Sequence, residues 1–148
     1  MAKTFTAPFA QTPQTASAVA TTAVSLTTSG VEQSATVTNS VLLSTAGADG
    51  AILTSLTAIP RATVTATALW IWSSTDGGTT KNLIASALMP AYTLAATTEN
   101  ARTVFKHADG TVISESSPLR LAASEKLYVG IGVTLAAGIM FNARYTDF

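Results

Sequence analysis

The sequence predicts an all-β fold, an antiparallel β-sandwich of eight or nine short strands, and three observations carry that prediction. Apolar and polar residues alternate with period two over most of the chain, as a half-buried strand requires. Turn residues recur at short intervals, among them Asp49-Gly50, Asp76-Gly77 and Asp109-Gly110. Ala, Thr and Ser number 27, 26 and 14 of the 148 residues. Thr at that density favours strand, because its β-branched side chain suits a pleated surface and loses rotamer freedom in a helix.

The elements follow in order. Residues 1–17 hold Pro8 and Pro13, with Phe5 and Phe9 as the only large apolar groups. Such a segment cannot offset its own ordering entropy, so an extended N-terminal arm is expected, followed by a single β-domain over 18–148. Val24 and Leu26 alternate with Ser25 and Thr27 before Gly30 breaks the run. Val37, Val41 and Leu43 are placed on one face of the next segment, which ends at AGADG, residues 46–50. In the strand before Pro60, Ile52, Thr54 and Leu56 are expected on one face and Leu53, Ser55 and Thr57 on the other. The clearest strand is TVTATALWIW, residues 63–72, with Val64, Ala66, Ala68, Trp70 and Trp72 together on one side. Trp70 and Leu127 are assigned to the core.

STDGGTT, residues 74–80, reads as a hairpin turn, since Asp-Gly tolerates the positive φ angles a tight turn demands. Pro90 interrupts ASALMPAYTLAA and argues for an irregular path there. RTVFK and HADGT form another hairpin with Asp109-Gly110 at its tip, followed by PLRL, LYVGIGVTL and the closing strand MFNARYTDF. Gly130 and Gly132 lie inside a strand, where glycine marks a bulge or a close backbone contact.

Charge and chemistry narrow the function. Only 11% of residues are charged, and eight Lys/Arg balance eight Asp/Glu. That balance excludes a sequence-independent nucleic-acid binder, which needs a basic stripe to release counterions. No cysteine is present, so disulfide staples, thiol catalysis and Cys-based zinc sites are excluded. No apolar run reaches the roughly 18 residues a membrane span needs. A soluble domain is expected, with no nucleic-acid or membrane partner.

Catalytic groups are scarce. His107 is the only histidine and is expected to be solvated beside the HADGT turn. No G-x-S-x-G elbow accompanies it. Asp109, Glu115, Glu125 and Asp147 have the residue types of a glycosidase pair, but each sits in or beside a turn. Asp49 and Asp76 lack the alternating ligands of a calcium loop, and Gly77-Gly78 lacks the spacing of a phosphate loop. Trp70 and Trp72 read as core, with a sugar-stacking platform as the alternative. The chain is therefore expected to be no enzyme, with no catalytic, cofactor-binding or metal site. Its low charge density favours permanent association, and Phe5 and Phe9 are the candidate residues for subunit or capsid contact.

The block LLSTAGADGAILTSLTAIPRATVTATALWIWSSTDGGTTKNLIASALM, with PLRLAASEKLYVGIGVTLAAGIMFNARYTDF, resembles the head decoration (cement) proteins of tailed bacteriophages. The likeness spans roughly residues 41–148; its pieces are TSLTAIPRATVTA, the DGGTTK hairpin and LRLAASEKLYVGIG. It implies a jelly-roll-type β-sandwich and homo-oligomers, with trimers favoured, seated on the major capsid protein. It also implies a virion location at the capsid surface after synthesis in the bacterial cytoplasm, without cofactor or catalysis. The alternative is a virion binding module, such as a head spike, tail fibre or baseplate domain, that touches a host glycan or protein. Far-ultraviolet circular dichroism is expected to show a single β-type minimum; a helical double minimum covering a fifth of the chain would contradict the fold class.

Overall fold

The computed structural model describes residues 12–25 and 37–148. Nine strands are present among them: β1 (Thr12–Ala20), β2 (Val41–Thr45), β3 (Ala51–Pro60), β4 (Thr67–Ser74), β5 (Asn82–Met89), β6 (Thr103–Val104), β7 (Leu119–Leu121), β8 (Lys126–Ile131) and β9 (Ile139–Asp147). The described residues contain no helix.

The strands form two antiparallel sheets. One has the order β1-β9-β3-β6, with β7 also pairing β3, and the other has the order β2-β8-β4-β5. The pairs β1·β9, β2·β8, β3·β6/β7 and β4·β5 are nested, like one long hairpin wound on itself. The contacts β9·β3 and β8·β4 close the winding. This is the jelly-roll arrangement of a two-sheet sandwich.

Between the sheets lies an aliphatic core. Leu53, Leu56, Ile139 and Phe141 enter from the five-stranded sheet, and Leu69, Ile71, Leu127, Val129 and Ile131 from the four-stranded one. Phe105 packs on Phe141 with ring centroids 6.1 Å apart, inside the range that favours aromatic pairs. Leu127 is wholly buried here, as expected.

Several expectations about faces and boundaries are corrected by pairing. Thr12–Ser17, assigned to the arm, are the first part of β1 and pair residue by residue with Asp147–Asn142 of β9. Phe5, Phe9, Leu26 and Gly30 lie outside the described residues. In β3 a bulge between Leu53 and Ser55 shifts the register. It inserts one residue and moves the alternation by one, so Leu53 and Leu56, expected on opposite faces, are both buried. A bulge between Leu42 and Ser44 does the same in β2, burying adjacent Leu43 and Ser44. Val37 then belongs to a different cluster from Leu43.

The strand expected over 63–72 begins at Thr67; upstream, Val64 makes only an isolated bridge to Tyr92. Leu69 and Ile71 point into the inter-sheet core, while Trp70 and Trp72 belong to a second cluster with Val24 and Val37. Trp72 is fully buried; Trp70 is only partly so, and lies outside the main core. The apolar run ALWIW therefore serves two faces of one sheet.

Gly130 in β8, and Gly132, expected inside a strand but lying just past the end of β8, make that arrangement possible. Gly130 pairs with Trp70 across β4·β8. A Cβ on Gly130 would meet Val24 Cγ1 and would lie 2.8 Å from Trp72 Cζ3; one on Gly132 would lie 3.0 Å from Trp70 Cη2. Both indoles thus lie over bare backbone. Trp72→Ala is expected to destabilise the protein by about 3–5 kcal/mol, and Gly130→Ala by about 1–3 kcal/mol through overpacking. Denaturant unfolding measures both, and wild-type stability in Gly130→Ala would contradict the packing described.

Candidate functional site

Three of the four acids with the residue types of a glycosidase pair, Asp109, Glu125 and Asp147, bind backbone of nearby turns, and Glu115 lies within the 114–117 turn. Asp109 Oδ1 accepts hydrogen bonds from Thr111 N and Thr111 Oγ1 at 2.9 and 2.7 Å. Thr111, first through its side chain, holds the Asp109 carboxyl below the usual range. Glu125 Oε2 accepts from Ala122 N at 2.7 Å, and Asp147 Oδ1 from Gly47 N at 2.9 Å. These carboxylates satisfy turn backbone, which explains why acids stand at those positions. Among the described residues, no three His, Cys, Asp or Glu side chains are grouped to hold a metal ion.

His107, expected to be solvated, is half-buried instead. Its Nε2 lies 2.9 Å from Ser117 O, tying the Asp109-Gly110 hairpin to the 114–117 turn. The hairpin itself is as expected: Gly110 has φ +88° and its N–H donates to His107 O.

Two surface features are candidates for contact. The first is the outer face of the four-stranded sheet. Trp70 and Trp72 stand side by side, with centroids 6.2 Å apart and planes tilted by 35°, and Tyr128 and Leu83 pack beside them. Trp72 is covered completely, leaving Trp70 and not a paired platform. Register places Leu42 opposite Tyr128 and Leu88 opposite Ala68 on this face, and Leu88 is 68% exposed.

The loop at the end of this face is tightly built. Asp76 receives Ser74 Oγ at 2.7 Å and Thr80 N at 2.9 and 3.0 Å on its two oxygens. Ser74 Oγ in turn accepts Gly78 N. Lys81 Nζ stands 4.7 Å from the Tyr128 ring centroid, within cation–π range.

The second surface is a cavity of about 240 Å³ at the other side of the sandwich, where β5 passes the β6 hairpin. Leu56, Ile71, Ile84, Ile113 and Leu119 line it, with Lys106, His107 and Ala108 completing the wall. A register shift between Ile71 and Trp72 in the β4·β5 pairing leaves Ile84 without a ladder partner beside Ala85. Sequence reasoning missed this site. Its lining comes from five separate segments, and a bulge in β5 leaves no local sequence signal. Comparison with known protein families, with curated proteins and with solved structures gave no match to this chain.

Asp76 provides a pH test. Hydrogen bonds from Thr80, first through its side chain and then its backbone, and from Ser74 hold its carboxyl well below the ordinary value of 3.8. A depressed native pKa contributes stability above the unfolded group's pKa, which is lost as pH falls through the native value. Asp76→Ala should therefore lower Tm at neutral pH, and the gap should close in strong acid. A gap that persists in strong acid would show that the loop does not depend on the ionised carboxylate.

Proposed function

We propose that this chain is a structural virion protein that decorates or cements the outside of a tailed-phage capsid through protein contacts, without catalysis. The observation that carries this reading is the surface. Six large apolar side chains are exposed on a domain of very low charge density: Leu42, Leu88, Leu94, Val104, Val112 and Val133. They lie on β2, β5, β6 and the connecting loops, so apolar contact is available in several directions. A subunit that must meet both its own copies and a shell needs such a distribution.

Fold-level analogy supports the same reading. Jelly-roll sandwiches recur in viral capsid domains, and also in lectins, so topology alone does not choose between roles. The glycan-binding alternative depends on the two tryptophans acting together. Complete burial of Trp72 under its own chain weighs against it.

In this reading the homo-oligomer, a trimer by the family resemblance, sits on the major capsid protein. Phe5 and Phe9 supply apolar anchors ahead of β1. The test is made on purified phage particles whose genome encodes this chain. The protein should be present in proportion to the major capsid protein, and full-length recombinant protein should rebind to stripped heads. A few copies confined to the tail would support the binding-module alternative, and absence from the particle would exclude both.

A further inference from the structure

The cavity between β5 and the β6 hairpin has an apolar interior and a polar mouth. Leu56, Ile71 and Ile113 of the main core line the interior, and Ile84 and Leu119, packed against that core, complete it. Outside it lies a more open cleft of about 250 Å³, which adds Leu83 and Ser86. Ile84, Ala85, Lys106, His107 and Ala108 line both spaces, so the two adjoin. A small-molecule site has this form: mostly apolar walls, with a few polar groups that fix orientation.

Volume and charge set what such a site takes. An aliphatic cavity of about 150 Å³ binds benzene, with its six carbons, so about 240 Å³ suits a group of about ten heavy atoms in the same proportion. No Asp or Glu lines the cavity or the cleft. The nearest acid in the chain, Asp109, is bonded to Thr111. His107 Nε2 is engaged with Ser117 O. Lys106 is exposed and stands on the shared wall, and its long stem lets the ammonium meet an anion without leaving water.

We propose that this cavity binds a small amphiphilic anion of the medium-chain carboxylate class. The alkyl chain enters among Leu56, Ile71, Ile84, Ile113 and Leu119. The carboxylate stays in the cleft beside Lys106, because burying it without a partner would cost far more than leaving it hydrated. The site goes beyond the structural role proposed above and does not depend on it, so its test needs only the full-length protein.

Octanoate, with eight carbons and two oxygens, is the probe, and 1-octanol is its uncharged counterpart. In a methyl-resolved NMR titration, octanoate should shift the methyl signals of Ile71, Ile84 and Ile113 and then saturate. Tm should rise with octanoate concentration, as it does for any ligand that binds only the native state. Lys106→Gln changes an exposed side chain, and circular dichroism checks that it folds. It should weaken octanoate about three- to fivefold, the size of an exposed ion pair, and leave 1-octanol unaffected. Three results would overturn the proposal. One is no saturable shift at the three isoleucines. Another is a set of shifts centred on Leu42, Leu88 and Val133, which would mean general adsorption to exposed apolar groups. The third is a Lys106→Gln variant that weakens neither probe, or both equally, because the site would then not select an anion.

Discussion

The four-stranded sheet is apolar on both of its faces, and covering the second face shapes much of this sandwich. Leu69 and Ile71 fill the inter-sheet core, so the intervening Trp70 and the following Trp72 must find cover on the outside. That cover comes from Val24 and Val37, and from the glycine backbone of Gly130 in β8 and Gly132 just beyond it, which lets the indoles lie close. Where the cover ends, Leu42 and Leu88 remain exposed on the same sheet. They stand on β2 and β5, the two edge strands of that sheet, and with the other exposed apolar groups they supply the apolar surface on which the functional reading rests.

Charge acts in the same direction. Three carboxylates are used within loops: Asp109 holds the β6 hairpin tip, Glu125 the turn before β8, and Asp147 the loop at Gly47. Asp76 does so most completely, with three hydrogen bonds to its two oxygens. Acids engaged in this way shape turns and leave the sheet faces to Ala, Thr, Ser and aliphatic groups. A domain built so has little long-range field to steer or repel partners, and contact must come from shape and apolar burial.

Much of the fold was legible because turns and alternation are local. Asp76-Gly77 and Asp109-Gly110 lie in turns, Pro60 and Pro90 end strands, and β9 follows MFNARYTDF. What was not legible depends on partners distant in sequence. The pairing of Thr12–Ser17 is decided by β9, more than a hundred residues away. The bulges at Leu43, Thr54 and Ile84 each shift a register by one residue, and no local pattern announces them. Because the β5–β6 cavity depends on the last of these, it was invisible in the sequence, whereas the glycines under Trp70 and Trp72 were recognisable as close backbone contacts.

The proposed role requires a domain that makes contact between copies and with a shell. Native mass spectrometry of the purified full-length protein tests it most directly. The proposed role predicts a homo-oligomer that survives high salt, as contacts between apolar groups would and ionic ones would not. A strictly monomeric protein across the accessible concentration range would contradict it.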